Sequence, residues 1–147
     1  MCREFLAQLR EHADTMKEKG YQLIAVTTSK GSYLKRFTET FGPYPFPLYG
    51  DPSRKAFREM GHVTPAKWKL LGMAAAGVAT GKVKNLFPRH PQERKLVLES
   101  MKTQDVYIQG GTWIFDEEGH LLFSHIDKTP DDHAEIREII EVLERKG

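Results

Sequence analysis

The chain has 147 residues, of which 39% are hydrophobic and 29% are charged, and its formal net charge is +2. That length suits one globular domain and is short for two. No run of about 18 apolar residues could span a membrane, the amino terminus lacks the apolar run of a secretory signal, and the single cysteine, Cys2, excludes an internal disulfide or a cysteine zinc cage. Because one thiol suits a reducing compartment, we expect a cytoplasmic protein.

The charges are unevenly distributed along the chain. From Arg54 to Lys102 there are 11 Lys and Arg against 3 Asp and Glu, whereas from Thr103 onward there are 4 against 11. Oppositely charged segments favour folding against each other, or pairing with a second copy as a homodimer. The basic residues are not interleaved with a nucleic-acid recognition motif, so nucleic acid is not an expected partner.

The amino-terminal part of the chain predicts a helix, a strand and a second helix. The first helix runs from Cys2 to Lys19, with one apolar face formed by Phe5, Leu6, Leu9, Ala13 and Met16. The β-branched run YQLIAVTTS at 21–29 predicts a buried strand. The second helix is expected to begin near the caps at Ser29 to Ser32 and to end at Gly42-Pro43.

The middle of the chain predicts shorter elements and an insertion. YPFPLYGD at 44–51 predicts a short strand held at a sheet edge by its prolines, and PSRKAFREMG at 52–61 predicts a helix opened by Pro52. Residues 62–105 are interpreted as an insertion that carries one helix, QERKLVLESMK. Its apolar stretch at 67–82 favours a buried or dimer-facing position over contact with a membrane.

The carboxyl-terminal part predicts a hairpin and a helix. Two β-rich runs in VYIQGGTWIFDEEGHLLFSHID flank the turn DEEG, which predicts an antiparallel hairpin. The segment TPDDHAEIREIIEVLERK predicts an amphipathic helix with Thr129 as its cap and Asp131 and Asp132 in its first turn. The order is therefore α, β, α, β, α, insertion, β, β, α.

Three segments in this order, CREFLAQLR, YGDPSRKAFREMG and QGGTWIFDEEGHLLFSHIDKTPDDH, resemble the peroxiredoxin-like AhpC/TSA antioxidant family of the thioredoxin-like superfamily. The resemblance implies an α/β fold, a thioredoxin-like three-layer α/β/α arrangement with a mixed sheet. It also implies a single domain over residues 1–147 with an insertion at about 62–105.

In that family an apolar strand and a Cys-x-x-Cys sequence accompany the first helix, and Cys2 resembles the second cysteine. We therefore expect an N-terminally truncated family member that lacks the usual strand before the first helix. Without that strand, the strands at 23–27 and 113–115 would have to pair directly, borrow a strand from a partner, or leave backbone groups unmatched.

Cys2 is the candidate catalytic residue. A helix amino terminus lowers the pKa of a thiol, and Arg3 adds positive charge beside it. The alternative is an ordinary, frayed terminal thiol. Gly111-Thr112 matches the position where thioredoxin-like proteins commonly place a cis-proline and a threonine facing the thiol, although Gly110-Gly111 could equally start a strand or form a bulge.

The segment HIDKTPDDH holds two histidines and three aspartates, residue types that bind metals. Their spacing crosses a strand end and a predicted helix cap, so the aspartates are attributed to the helix dipole and His133 to a cap contact. We predict no metal site and no cofactor. His125, at the end of the hairpin, is a candidate for a structural or active-site hydrogen bond.

The resemblance implies a thiol-dependent oxidoreductase that reduces a peroxide, an endoperoxide or a disulfide through Cys2, provided that the full-length chain supplies a first cysteine. Its expected partners are a small-molecule peroxide or a protein disulfide, and a thiol reductant such as thioredoxin or glutathione. The alternative is a catalytically degenerate thioredoxin-like interaction module, which the missing strand and first cysteine would explain.

Overall fold

A computed structural model of the chain describes residues 3–66, 69, 72, 75, 76, 79–81, 89–103, 108–129 and 131–146. Helices alternate with strands, as expected for an α/β protein. The elements are α1 (Arg3–Glu18), β1 (Ala25–Thr27), α2 (Gly31–Phe41), β2 (Leu48–Gly50), α3 (Lys55–Glu59), α4 (Pro91–Thr103), β3 (Gly111–Phe115), β4 (Leu121–Ile126) and α5 (Ile136–Lys146).

The chain divides into two compact units. The first, the hairpin unit, comprises Met1–Thr27, Tyr44–Tyr49 and Gln109–Gly147. The second, the helical unit, comprises Thr28–Pro43 and Gly50–Ile108. Two compact units can belong to one domain or to two, so the single domain expected from the sequence stays a prediction.

Helix α1 confirms the predicted apolar face. Leu6, Leu9, Ala13 and Met16 are all buried, as the helical period requires. This face packs in the hairpin unit, where α1 contacts α5 and its buried residues Ile139 and Leu143. Lys19 Nζ donates to Glu144 Oε1 at 3.0 Å near the exposed ends of the two helices. The packing of α1 on α5 therefore fixes the described part of α1 in the hairpin unit.

Strands β3 and β4 form the predicted antiparallel hairpin. Their register pairs Thr112 with His125 and Ile114 with Phe123, with an irregularity between Ile114 and Phe115. The turn is closed by Asp116, whose Oδ1 accepts from the backbone N–H of His120 at 2.7 Å. Gly119 has a φ of 84°, a left-handed conformation that favours glycine. The DEEG turn of the sequence is therefore confirmed.

Strands β1 and β2 form a second two-stranded sheet. The Ala25 N–H donates to the carbonyl oxygen of Pro47 at 3.0 Å beside it. Within the residues that the structure describes, β1 pairs with β2 and β3 pairs with β4, so β1 and β3 do not pair directly. Ile24 and Val26 at β1 remain 51% and 42% exposed, which is unusual for a β-branched run.

In the helical unit, α2 packs against α4. Tyr33, Leu34 and Phe37 are buried on α2, and Leu96 is buried on α4. The Tyr33 hydroxyl donates to the carbonyl oxygen of Leu96 at 3.2 Å, which links the two helices. The amino terminus of α2 differs from the prediction, because Lys30 is its cap residue and makes no side-chain capping hydrogen bond.

Helix α3 begins at Lys55, three residues after Pro52. Asp51 explains the delay, because its Oδ2 accepts from the Ala56 N–H at 2.9 Å and its Oδ1 accepts from the Ser53 hydroxyl at 2.7 Å. These hydrogen bonds lower the pKa of the Asp51 carboxyl, with the Ser53 hydroxyl as the main cause. Arg54, at the cap position, has a left-handed φ of 59°.

The predicted insertion at 62–105 lies in the helical unit and includes α4. Much of its apolar stretch falls outside the described residues, so the interpretation as a buried, dimer-facing or membrane-contacting segment stays a prediction. Among the helices described, none combines the length and the apolar character that crossing a membrane requires.

The last helix begins later than predicted. The prediction placed its cap at Thr129, but α5 starts at Ile136, where the Ile139 N–H donates to the carbonyl oxygen of Glu135 at 3.1 Å. The preceding residues form a turn in which the Asp132 N–H donates to the Thr129 carbonyl oxygen. Asp131 and Asp132 therefore precede the helix, and the attribution of these aspartates to its first turn was wrong.

Candidate functional site

The hairpin brings together three of the predicted site residues. Gly111 pairs with Ile126 and Thr112 pairs with His125 at the open end of the hairpin. One more backbone hydrogen bond continues the ladder, from the Asp127 N–H to the Gly110 carbonyl oxygen at 3.0 Å. The irregularity in the register lies further along β3, so the alternative of a bulge at Gly110-Gly111 is not what the hairpin shows.

His125 fastens the turn that follows β4. Its Nε2 lies 2.7 Å from the carbonyl oxygen of Asp132, and a carbonyl can only accept, so Nε2 carries the proton. The same nitrogen lies 3.6 Å from Asp132 Oδ2 and 3.7 Å from Asp127 Oδ1. Asp132 Oδ2 also accepts from the Lys128 N–H at 2.9 Å. His125 therefore makes a structural hydrogen bond that holds the turn onto the strand.

Asp127 and His133 form an acid–base pair next to this turn, in which Asp127 is buried and His133 is partly buried. Asp127 is only 5% exposed, and its Oδ2 lies 2.7 Å from His133 Nδ1. An ionised carboxylate only accepts hydrogen bonds, so His133 Nδ1 donates to it. Within the described part of the chain, Asp127 Oδ1 has no hydrogen-bond partner, and His125 Nε2 lies just beyond hydrogen-bond distance of it.

Gly110 is the glycine that this pair requires. A Cβ at position 110 would lie 2.7 Å from Asp127 Oδ2, closer than real Cβ atoms approach. A side chain at this position would therefore displace the carboxylate from His133. The sequence suggested that Gly111 allows another group to approach the backbone closely. The structure shows such an approach at the neighbouring Gly110, where the Asp127 carboxylate lies against the backbone.

The first turn of α1 packs against the same pair. The rings of Phe5 and His133 are stacked, with their centroids 4.6 Å apart and their planes 16° from parallel. Cys2 lies outside the described residues, as does Met1. In the sequence, Cys2 immediately precedes Arg3, the residue at which α1 begins.

Arg3 contributes charge to Tyr44, a residue outside α1. Burial raises the pKa of the Tyr44 hydroxyl, and the positive charges of Arg10 and Arg3 partly offset this effect. The Arg10 guanidinium carbon lies 5.6 Å from the centre of the Tyr44 ring. Of the predicted site residues, Gly111, Thr112 and His125 are therefore brought together by the hairpin, whereas Arg3 acts on Tyr44.

One group in the hairpin turn has side chains of metal-binding type. Donor atoms of Asp116, Glu118 and His120 lie within 4.8 Å of one another. Asp116 is occupied by the turn itself, because its two oxygens bond the backbone N–H groups of Glu118 and His120 and the His120 ring. The hydrogen bonds of the turn are therefore enough to explain this grouping.

The helical unit carries an open cavity of about 360 Å³. Two arginines and one buried histidine, Arg54, Arg58 and His62, supply its charged and polar lining. The Arg58 guanidinium is tethered by a 2.9 Å hydrogen bond to the Ser53 carbonyl oxygen. None of its lining residues was a predicted site residue, and none carries a thiol.

Asp127 and His133 are the site residues that the sequence interpretation missed. The signal was present in the strand period: Phe123, His125 and Asp127 alternate along β4 and share one face. An aspartate that continues the face of a hairpin strand is a candidate for burial, and a buried carboxylate requires a partner. The sequence interpretation attributed Asp127 to the dipole of the following helix, so it did not look for a partner of the carboxylate.

The fold and the comparison with known families agree. The family model of the AhpC/TSA antioxidant enzymes matches residues 8–129, most of the chain. The chain therefore belongs to the AhpC/TSA family, which has a thioredoxin-like α/β fold and thiol-dependent peroxidase or oxidoreductase chemistry in general. No curated protein matches the chain significantly. The match begins after Cys2 and ends before His133, so it assigns a role to neither residue.

Proposed function

We propose that this protein is a peroxiredoxin-like thiol oxidoreductase that reduces a peroxide, an endoperoxide or a disulfide through Cys2. The observation that carries the proposal is the place of the only cysteine of the sequence, directly before Arg3, the first described residue of α1. Backbone N–H groups without helical partners and the macrodipole favour a thiolate at such a position. Membership in the AhpC/TSA family supports thiol chemistry of this kind.

In the proposed reaction, the Cys2 thiolate attacks one oxygen of a peroxide and the O–O bond breaks. Sulfur is oxidised by two electrons to a sulfenic acid, and the leaving oxygen takes a proton to become an alcohol or water. A thiol then condenses with the sulfenic acid, which releases water and forms a disulfide. Because the 147 residues contain one cysteine, the resolving thiol in this scheme lies outside them.

The partners in this proposal are a peroxide or disulfide substrate and a thiol reductant. The family generally acts on peroxides with thiol reductants, and thioredoxin, glutathione or a second subunit could each supply the resolving thiol. A cytoplasmic location remains part of the proposal, because a lone thiol stays reduced in that compartment.

The test is peroxide consumption in the presence of a dithiol reductant. The wild-type protein should show turnover, and Cys2→Ser should abolish it, because serine cannot form a sulfenic acid. Wild-type protein blocked with iodoacetamide is the matched control, since it keeps the natural sequence and loses only the free thiol. Turnover that survives in both Cys2→Ser and the blocked protein would rule out the proposed role of Cys2.

A second candidate function is the interaction module without catalysis. It is favoured by the exposed apolar side chains at the β1–β2 sheet, where Ile24, Val26 and Tyr49 are 51%, 42% and 55% exposed. Such a sheet could bind a second copy of the chain. A wild-type protein without turnover that forms dimers, and a Val26→Lys variant that is monomeric by analytical ultracentrifugation, would favour this function.

A further inference from the structure

We propose that the cavity of the helical unit binds a small phosphate ester, with Arg54 and Arg58 as the residues that hold the phosphate group. All of the residues that line the cavity fall within the segment Gly50–Ile108, so the site lies inside one compact unit. None of these residues takes part in the proposed thiol chemistry. Phosphate binding in this cavity and the proposed role of Cys2 are therefore independent of each other.

Two guanidinium groups supply the positive charge of the cavity wall. Arg54 and Arg58 both line the cavity, and the Arg58 N–H donates to the Arg54 carbonyl oxygen at 3.0 Å, the hydrogen bond of one helical turn. Residues with this spacing lie side by side, and like charges so placed repel each other. An anion that contacts both guanidinium groups removes this repulsion and gains hydrogen bonds strengthened by charge.

The surroundings of the two arginines are also basic. Among the described residues that line the cavity, there is no aspartate or glutamate. The acidic residue of α3, Glu59, is not part of the lining, and its carboxylate lies 3.9 Å from Lys55 Nζ. The segment from Arg54 to Lys102 has 11 Lys and Arg against 3 Asp and Glu. A concave surface with an excess of one charge attracts ligands of the opposite charge, so this cavity favours an anion.

The Arg58 side chain is tethered at the wall of the cavity. One nitrogen of its guanidinium group donates to the Ser53 carbonyl oxygen at 2.9 Å. Ser53 is itself fixed, because its hydroxyl donates to Asp51 Oδ1 at 2.7 Å. A guanidinium group has several N–H donors, and the bond to Ser53 uses one of them. A tethered arginine loses less conformational freedom when it binds an anion, which favours affinity.

Arg54 occupies a backbone conformation that suits glycine better. Its φ of 59° and ψ of 26° are left-handed, and among the described residues it is the one non-glycine residue with a positive φ. Residues with a side chain adopt this conformation at a cost, and strained residues of this kind concentrate at functional sites. An arginine at such a position, with its side chain at the cavity wall, points to a role for that side chain.

The rest of the wall determines the size and the character of the ligand. The volume of about 360 Å³ is near the lower end of the range for small-molecule sites. His62 lines the cavity from a buried position, and its ring packs edge-on against Phe57 with the centroids 5.5 Å apart. Val63 and Ile108 add apolar residues to the lining. The cavity therefore suits a small ligand that has an apolar group beside its anionic group.

The two guanidinium charges favour a phosphate over a carboxylate. A phosphate monoester carries about two negative charges at neutral pH, whereas a carboxylate carries one. Guanidinium groups bind either anion through paired hydrogen bonds, but only the phosphate has enough charge and oxygen atoms to match both arginines. Phenyl phosphate combines this group with a short apolar ring, and benzoate has the same ring with a carboxylate.

The test is a titration of the full chain with phenyl phosphate near neutral pH, followed by amide NMR spectra in a buffer without phosphate. Binding should saturate with a Kd of about 1 mM or below, and the shifted resonances should include those of Gly61 and Thr64 at the cavity wall. Benzoate should bind about tenfold more weakly, because it carries less charge. Inorganic phosphate should bind a few-fold more weakly, because it has no apolar group.

Three variants separate a built site from a diffuse positive surface. Arg54→Gly and Arg58→Gln should each raise the Kd for phenyl phosphate about tenfold, because each removes one charged partner of the phosphate. Lys55→Gln is the matched control, because Lys55 is an exposed cation next to Arg54 that does not line the cavity, and it should change the Kd less than about twofold. Glycine adopts a left-handed φ without strain, so Arg54→Gly should fold.

Four results would overturn the inference. They are phenyl phosphate binding that does not saturate below about 10 mM, benzoate binding as tight as phenyl phosphate binding, an unchanged Kd in folded Arg54→Gly, and an equal loss in Lys55→Gln. The amide spectrum of each variant shows whether it is folded, and if Arg58→Gln does not fold, Arg54→Gly decides. Peroxide turnover is not part of the measurement, so failure of phosphate binding and failure of the proposed function are distinguishable.

Discussion

Two acid–base pairs, one in each unit, have similar chemistry and very different surroundings. Asp127 and His133 meet in the hairpin unit, where their side chains are 6% and 21% exposed. Arg36 and Glu99 join α2 to α4 in the helical unit, where their side chains are 48% and 32% exposed. Arg36 and Glu99 give up hydrogen bonds to water when they pair, so their pairing adds little to stability. Asp127 is removed from water, so water cannot replace its hydrogen bond to His133.

The comparison shows which pair is harder to replace. Surface pairs such as Arg36–Glu99 are common and tolerate replacement, because solvent can satisfy either partner alone. The buried pair can lose neither partner without leaving a polar group in an apolar place. The predictions that follow test this contrast, in order of expected size.

The largest effect is expected from Asp127→Ala. Removing the buried carboxylate takes away the hydrogen bond that His133 Nδ1 donates at 2.7 Å and leaves a cavity, so the free energy of unfolding should fall by about 2–4 kcal/mol. Urea unfolding followed by tryptophan fluorescence measures the loss. Asp131→Ala is the matched control in the same turn, because Asp131 is exposed, and it should stay within about 0.5 kcal/mol of the wild type. Equal losses in the two variants would contradict the contrast.

A smaller loss is expected when the pair is displaced rather than deleted. In Gly110→Ala, the new Cβ would lie 2.7 Å from Asp127 Oδ2, so the carboxylate has to move away from His133. Crowding of this kind costs about 1–3 kcal/mol. Gly31→Ala is the control, because no atom lies within 4 Å of its Cβ position and α2 begins there. A Gly110→Ala protein as stable as Gly31→Ala would show that the carboxylate is not tightly held.

In the helical unit, Tyr33→Phe tests a neutral hydrogen bond between α2 and α4. Arg36 and Glu99 join the same two helices. It removes the hydroxyl that donates to the Leu96 carbonyl oxygen at 3.2 Å, and stability should fall by about 1 kcal/mol. Tyr49→Phe, at a tyrosine that is 55% exposed, should have almost no effect in the same urea experiment. A larger loss in Tyr49→Phe would be incompatible with this description of α2 and α4.

The smallest effect is expected from the exposed pair and depends on pH. The hydrogen bond from Arg36 lowers the pKa of the Glu99 carboxyl below its ordinary value of 4.5. The stability that Glu99 contributes is therefore present above that value and is lost as the pH falls through the lower folded value. Glu99→Gln should make the loss of stability in acid slightly shallower, and it should leave stability near neutral pH almost unchanged.

Urea titrations at several acidic pH values and at neutral pH measure this difference. Glu59→Gln provides a comparison on another exposed carboxylate, which lies 3.9 Å from Lys55. An identical acid dependence in wild type and Glu99→Gln would mean that the pair with Arg36 does not form in solution. High salt should reduce the Glu99 effect further, because exposed charges are screened.

Local patterns predicted the elements better than the site. The helical period identified the buried face of α1, and the DEEG turn identified the hairpin of β3 and β4, because both signals depend on neighbouring residues alone. The first turn of α5 was misplaced because Asp131 and Asp132 have the composition of a helix start. In the structure, Asp132 accepts hydrogen bonds from His125 and Lys128, and Asp131 accepts one from the Thr129 hydroxyl, so both lie in a turn before the helix.

The candidate site could be predicted in part. Gly111, Thr112 and His125 were selected from the sequence, and the hairpin register places them together. Asp127 and His133 were overlooked as a pair because β4 ends before Asp127 and a turn separates the two residues, so neither the helical nor the strand period relates them. The AhpC/TSA resemblance of the sequence is confirmed by the family match. The role of Cys2 remains a prediction because that residue lies outside the described part of the chain.

The most direct test of the central claim is the oxidation rate of Cys2 by a peroxide. Stopped-flow mixing of the reduced protein with one equivalent of peroxide, with the sulfenic acid trapped by dimedone and located by mass spectrometry, measures this rate. We predict modification at Cys2 and a rate at pH 7 about tenfold or more above that of free cysteine, because the thiol is largely ionised. A rate equal to that of free cysteine would contradict the proposed function.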